Sequence, residues 1–279
     1  MKKNLTELVM ILDASGSMWG LTNDTIGGFN SLLNSQKEED GEATFTAVKF
    51  NDRMEYMYDR VDINDVEDLT RKQYYASGTT ALLDALGTTI DYIGEKLSNT
   101  PEEDRPSKVI FAVITDGQEN ASREYTYSVI KEKIQHQREK YNWEFMFIGA
   151  NIDAIGESEK LGMDSRFARN YTASSVGTQA VYGGLSKAMS CMRDASFNID
   201  DEDCMCEMSA CLDEICIDSN DAAENIFSKD TLSLDDIDEN LPDDIDDLDI
   251  DDLDIDDKFD MDCEFFDNIN RGIEAEEEE

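Results

Sequence analysis

Asp13, Ser15 and Ser17 stand at alternate positions in the stretch Val9-Met10-Ile11-Leu12-Asp13-Ala14-Ser15-Gly16-Ser17-Met18. One carboxylate and two hydroxyls on a short loop make an oxygen-only donor set, which suits a hard divalent cation. Gly16 lets the backbone turn tightly between the two serines. The apolar run ahead of Asp13 reads as a buried parallel strand. Such a strand delivers these oxygens to the carboxyl edge of a sheet, where open α/β sheets place their ligands. Three donors from one loop do not complete a site, so other stretches must supply the rest.

Two stretches do so. Tyr74-Tyr75-Ala76-Ser77-Gly78-Thr79-Thr80-Ala81-Leu82 brings a threonine directly after a glycine and directly ahead of a helical apolar pattern. Val109-Ile110-Phe111-Ala112-Val113-Ile114-Thr115-Asp116-Gly117 is a second buried strand ending in aspartate and glycine. A D-x-S-x-S loop, a G-T loop before a helix and a strand ending in T-D-G, in that order, resemble the metal-ion-dependent adhesion site of von Willebrand factor type A domains. The likeness spans residues 5–192. Its flanks Ile26-Gly27-Gly28-Phe29-Asn30 and Asp116-Gly117-Gln118-Glu119-Asn120-Ala121-Ser122-Arg123-Glu124 read much like the free-standing bacterial and phage members.

The resemblance implies a metal site in which Ser15, Ser17 and Thr79 offer hydroxyls while Asp13 and Asp116 hold the ion directly or through water. It implies magnesium as the occupant, with manganese second, and a protein partner that donates an Asp or Glu carboxylate to the metal. Two details depart from the common pattern. Ser77-Gly78 stands where many members have two glycines, and two threonines follow. Thr79 is preferred as ligand because it directly follows the glycine, which leaves Thr80 to cap the helix. Capping could account for Asp13, Ser15 and Thr79 one at a time, but not for all five residues on three carboxyl-edge loops.

The elements that must position these loops follow from periodicity. Helical spacing of Ile26, Phe29, Leu32 and Leu33 predicts a helix over 25–36, capped by Asn23 or Asp24. Alternation over 43–50 and 54–61, with Asn51-Asp52 between, predicts a hairpin and hence an antiparallel edge strand. Residues 62–75 lack a clean period and read as a connection. Helices are expected over 81–97, 125–141, 153–161 and 175–192. Strands are expected over 109–115, 143–150 and 166–172, with a loop over 99–108. Strands alternating with helices specify a βαβ architecture. The expected fold is therefore α/β, a Rossmann-like three-layer von Willebrand factor type A-like domain with a mostly parallel sheet and helices on both faces. A domain over 1–193 precedes a cysteine-containing acidic linker over 194–230 and a low-complexity acidic tail over 231–279.

Charge supports this division. The formal net charge is −41, and residues 194–279 carry 35 acidic and 3 basic side chains. The near-repeat Asp243-Asp244-Ile245-Asp246-Asp247-Leu248-Asp249-Ile250-Asp251-Asp252-Leu253 buries too little apolar surface to offset its ordering entropy, so the tail is expected to be disordered. Because the metal wants an external carboxylate, the tail is expected either to compete for the site in cis or only to solubilise. So acidic a chain should be repelled by nucleic acid and by anionic membranes.

The short apolar start after Lys2 and Lys3 is interrupted by Glu7 and ended by Asp13, which favours a strand over a signal segment. All six cysteines lie at Cys191 or beyond, and none lies in the expected core strands, which favours a reducing, cytoplasmic setting. The spacing of Cys204, Cys206, Cys211 and Cys216 lacks the paired knuckles of structural zinc sites. An enzyme reading is weaker. Haloacid dehalogenase-type phosphatases also open on a strand ending in aspartate, but the general acid they need two residues on is Ser15 here. The expectation is a binding module and not an enzyme.

Overall fold

A computed structural model describes residues 1–216. The strand that ends in Asp13, β1 (Lys2–Asp13), is buried from Thr6 onward and lies in the middle of the sheet. β2 (Glu42–Phe50) pairs with it on one side and β4 (Pro106–Thr115) on the other, both parallel. β5 (Trp143–Ala150) and the short β6 (Ala168–Tyr171) extend the sheet beyond β4, again parallel. β3 (Met54–Asp62) closes the other edge antiparallel to β2, giving the order β3-β2-β1-β4-β5-β6. This is a six-stranded mixed sheet with one antiparallel edge strand, the architecture expected from the sequence.

Alternation along β1 sorts the core into two layers. Leu8, Met10 and Leu12 face α1 (Thr22–Glu38) and α5 (Ser175–Arg193). Val9 and Ile11 face the opposite way, toward α2 (Leu82–Ser98), α3 (Tyr127–Tyr141) and α4 (Ala154–Leu161). Period-2 side-chain direction thus lets one strand bind both helical layers. α1 and α5 approach closely because Gly28 has no side chain. A Cβ there would lie 2.2 Å from Cδ2 of Tyr182. α1 begins at Thr22 without the side-chain cap expected from Asn23 or Asp24.

The connection over 62–75 holds itself in place by burying Ile63, Val66, Leu69 and Tyr74. Asn30 on α1 exchanges two hydrogen bonds with the backbone of Leu69, at 3.1 and 2.7 Å. β4 starts at Pro106, inside the stretch expected to be loop, because the backbone of Lys2 meets Pro106 across the sheet.

The segment after α5 differs more from expectation. Residues 202–216 were expected to be part of a loose linker, but Glu202–Asp213 form α6. Met208, Leu212 and Ile215 enter the same core as α1 and α5. Their spacing of four and three is helical, and the acidic residues between them masked it in a reading governed by net charge. Arg193, the expected last residue of the domain, is itself buried and donates to the backbone and side-chain oxygens of Gln36 at 2.6 and 3.2 Å. The acidic tail over 231–279, the rest of the linker and Cys263 lie outside the described residues. Among the described residues, no helix is long and apolar enough to cross a membrane.

An ion pair links β1 to the edge strand β3. Glu7 is fully buried on β1 and takes two nitrogens of Arg60 in a forked ion pair, the shortest contact being 2.9 Å. Arg60 reaches it from an extra residue in β3 between the pairs Phe45↔Val61 and Ala47↔Tyr58, with a left-handed φ of 49° and its N–H on Thr46. Burial pushes the Glu7 carboxyl above its ordinary value, and the Arg60 hydrogen bonds oppose this. Arg60→Ala is therefore expected to destabilise the domain by about 3–5 kcal/mol at neutral pH, because it strands a buried carboxylate. A raised folded-state pKa means that protonation favours folding, so the deficit relative to the parent should shrink as pH falls toward 4.5. Urea unfolding of both proteins at pH 7 and pH 5 measures this, and an unchanged deficit would locate the cost elsewhere.

Candidate metal-binding site

β1 and β4 run side by side and end together, so Asp13 and Asp116 arrive at one point on the carboxyl edge. Neither carboxylate is left bare. Asp13 Oδ1 accepts from the Ser15 backbone N–H at 2.7 Å and Oδ2 from the Thr115 hydroxyl at 2.6 Å. Asp116 Oδ1 accepts from the Ser17 hydroxyl at 2.6 Å, and the Ser17 and Ser15 hydroxyl oxygens stand 3.1 Å apart. The residues after Asp13 turn into a short 3-10 helix, Gly16–Leu21, and Gly16 N–H bonds the Gly78 carbonyl at 3.0 Å. Ser77 N–H bonds the Ala14 carbonyl at 2.8 Å, so the first and second loops are tied backbone to backbone. Gly78 has φ +77°, a conformation that requires glycine at this turn.

The structure selects between the two threonines differently from the sequence. Thr79 is exposed, whereas Thr80 is buried. A Cβ placed on Gly117 would lie 3.7 Å from Thr80 Oγ1 and 4.0 Å from Ser17 Oγ, so both hydroxyls face the same glycine. Thr80 therefore stands with Ser15, Ser17, Asp13 and Asp116. Thr80 does not cap α2 either: the residue ahead of that helix is Ala81, with no side-chain cap.

The caps of α2 come from the third loop. Leu83 N–H donates to Glu119 Oε2 at 3.0 Å and Asp84 N–H to Ser122 Oγ at 3.1 Å. In return the Asp84 carboxylate accepts from the backbone N–H groups of Arg123, Glu124 and Tyr125 at 2.8 to 2.9 Å. Asn120 closes the exchange, accepting from Thr80 N–H while its own N–H bonds the Thr80 carbonyl, both at 3.0 Å. The free N–H groups of the helix and the loop thus satisfy each other, and Thr80 is held from both sides.

Electrostatically the site is an anionic pocket. Burial pushes the Asp13 carboxyl above its ordinary value, with the Asp116 charge adding to the rise and the Thr115 and Ser15 hydrogen bonds opposing it. Burial likewise raises Asp116, opposed by the Ser17 hydroxyl. Beneath them the buried Tyr74 hydroxyl donates to the Asp13 carbonyl at 2.5 Å. Burial raises the Tyr171 phenol, and the charges of Asp116 and Asp13 raise it further. Two buried carboxylates and three hydroxyls, with no sulfur or imidazole, are a donor set that fits a hard divalent cation. Among the described residues no group of three or more His, Cys, Asp or Glu side chains is assembled to hold a metal, and this covers Cys191, Cys204, Cys206, Cys211 and Cys216.

Sequence reasoning placed Asp13, Ser15, Ser17 and Asp116 on the loops that the structure brings together, and chose Thr79 where the structure buries Thr80. It missed Thr115, Glu119, Asn120, Ser122 and Asp84, which position the site without facing its centre. For Thr115, Glu119, Asn120 and Ser122 the signal lay in the polar density of residues 115–124; Asp84 on α2 carried none.

No family model matches the sequence, and no curated protein matches it. Among solved structures, proximal thread matrix protein 1 from the mussel byssus is similar over 67% of this chain at 16% identity, with a TM-score of 0.46. The chain covers 46% of that protein, about half its length. Manganese-loaded TRAP protein of Plasmodium vivax is similar over 64% of this chain and 72% of its own, at 17% identity and a TM-score of 0.44. A von Willebrand factor type A protein from Catenulispora acidiphila is similar over 65% of this chain and 41% of its own, at 16% identity and a TM-score of 0.44.

The reciprocal capping makes a direct prediction. Asp84→Ala removes the acceptor of three backbone N–H groups and should cost about 1–2 kcal/mol, the magnitude of a lost helix cap. Urea unfolding reads the cost, and amide exchange at residues 123–125 should accelerate selectively. Unchanged exchange there would show that the loop is held by other contacts.

Proposed function

We propose that the protein is a von Willebrand factor type A-like, metal-dependent protein-binding module. The observation that carries this reading is the convergence of Asp13, Ser15, Ser17, Thr80 and Asp116 on one carboxyl-edge point. Ser15, Ser17 and Thr80 would hold a divalent cation through hydroxyls, with Asp13 and Asp116 as direct or water-bridged anions. Magnesium is the proposed occupant, since it retains waters and takes near-octahedral oxygen ligation, and manganese can replace it.

Compared with a cage of three or four carboxylates, such a site, with its hydroxyls and waters, leaves a bound ion less compensated and able to take a further carboxylate from outside. An Asp or Glu of a protein partner is the natural donor. The chain's own part is to hold its hydroxyls in place before the partner arrives, which the cross-loop hydrogen bonds do. The site lacks the second acid of an aspartate-based phosphatase, because Ser15 occupies that position and donates its backbone N–H to Asp13. We read it as non-catalytic and of the free-standing bacterial or phage kind, working in the cytoplasm. The carboxylates of residues 231–279 compete with the partner for the same ion, which would make the chain its own weak antagonist.

Titration calorimetry of magnesium and manganese into the full chain tests the metal site. Wild type and Thr79→Ala should share one binding event above the weak background of the acidic residues, and Thr80→Ala and Asp116→Ala should weaken it by at least about tenfold, the scale on which a metal ligand's support acts. Equal binding by all four proteins would remove the site. For the competition, a chain ending at residue 230 should bind a glutamate-bearing peptide more tightly than the full chain in magnesium, and equal affinity would mean that the acidic segment only solubilises.

A further inference from the structure

α6 lies against α5 because the sequence makes room for it. A Cβ on Gly184 of α5 would stand 2.5 Å from Ile215 Cγ1 and 2.9 Å from the Cys211 carbonyl oxygen, so a larger residue would push α6 away. Met208, Leu212 and Ile215 fill the space beneath. Outside, Arg169 pairs with Asp213 at 2.8 Å and Lys187 with Glu214 at 2.5 Å. This close approach sets the sulfurs of Cys191 on α5 and Cys211 on α6 3.9 Å apart. A disulfide bond is about 2.05 Å long, so closure brings the two sulfurs closer by about 2 Å. Cys206 and Cys216 are exposed, and Cys216 donates to the Asn170 carbonyl rather than meeting another thiol. Among the described cysteines, Cys191 and Cys211 are the pair whose sulfurs meet, at the helix contact.

We propose that Cys191 and Cys211 are a reversible dithiol–disulfide site that, when oxidised, clamps α6 covalently onto α5. The oxidant is a small-molecule disulfide of the glutathione class. One cysteine thiolate attacks it, forming a mixed disulfide and releasing the first small thiolate, which takes up the proton that cysteine lost. The second cysteine gives up its proton, attacks the protein-bound sulfur and expels the second small thiolate, which takes that proton. Two cysteines are oxidised by two electrons, and one small disulfide is reduced to two thiols.

Burial, and then the neighbouring Cys211, push the Cys191 thiol up to about 12. Either sulfur opens the exchange and the other closes it. The clamp spans a separation of 20 residues and fixes the helix from which the acidic C-terminal segment continues. It is independent of the metal site and stands or falls without it.

The test uses the full chain with Cys204→Ser, Cys206→Ser, Cys216→Ser and Cys263→Ser, so that only Cys191 and Cys211 remain. On exposure to oxidised glutathione, the intact mass should fall by two hydrogens with no glutathione retained. The chain should stay monomeric on a non-reducing gel, and dithiothreitol should restore both thiols. Amide exchange over 202–213 should slow by about tenfold in the oxidised form, since a cross-link restricts local opening. Adding Cys191→Ser leaves a single sulfur at the contact, so Cys211 should then hold glutathione as a stable adduct, in a protein whose circular dichroism matches the parent. Stable adducts on the two-cysteine chain, intermolecular dimers, or two thiols that remain free would each overturn the proposal.

Discussion

Two buried carboxylates of like charge at the ends of neighbouring strands are costly unless something neutralises them, and the carboxyl edge of this sheet is organised around that cost. Asp13 and Asp116 are both pushed above their ordinary values by burial, and each is answered by hydroxyl or backbone N–H donors. Those donors relieve the charge without cancelling it. The remainder is what a divalent cation would satisfy, and the neutral hydroxyls around it would leave that cation wanting one more anion.

This requirement explains features that otherwise look unrelated. The loops must not collapse onto the carboxylates, so they are tied to one another: Ser77 to Ala14, Gly16 to Gly78, Asn120 to Thr80, and Glu119 and Ser122 to the start of α2. The sheet must not shift beneath them, so β1 is packed on both faces and held from the far edge by the Glu7–Arg60 pair. α1 and α5 close over one face through the contact of Gly28 with Tyr182, and α6 adds to the same layer. Rigidity at the edge is thus spread through hydrogen bonds and through packing below.

Much of this was legible in the sequence, because the dominant signals were local. β1 and β4 announced themselves as apolar runs ending in polar residues, and α2 by its leucine and isoleucine stripe. The antiparallel edge strand followed from Asn51-Asp52 between two alternating runs. What was not legible depended on contacts between loops distant in the chain. Thr79 and Thr80 are adjacent and chemically identical, and the burial of Thr80 between Gly78 and Asn120 is set by contacts distant in the chain. The cap of α2 was sought in the residues before it, yet it lies nearly forty residues downstream. α6 was hidden by composition: acidic residues on its outer face lowered the apparent apolarity, while Met208, Leu212 and Ile215 kept a narrow inner stripe.

The central claim is that the carboxyl edge holds a divalent cation between its three loops. Crystals grown with manganese and acetate, measured at the manganese absorption edge, test it most directly. The account predicts one anomalous peak bounded by Ser15, Ser17 and Thr80, with Asp13 and Asp116 adjacent and an acetate oxygen completing the coordination. An edge with no peak there, in crystals that bind manganese elsewhere, would contradict it.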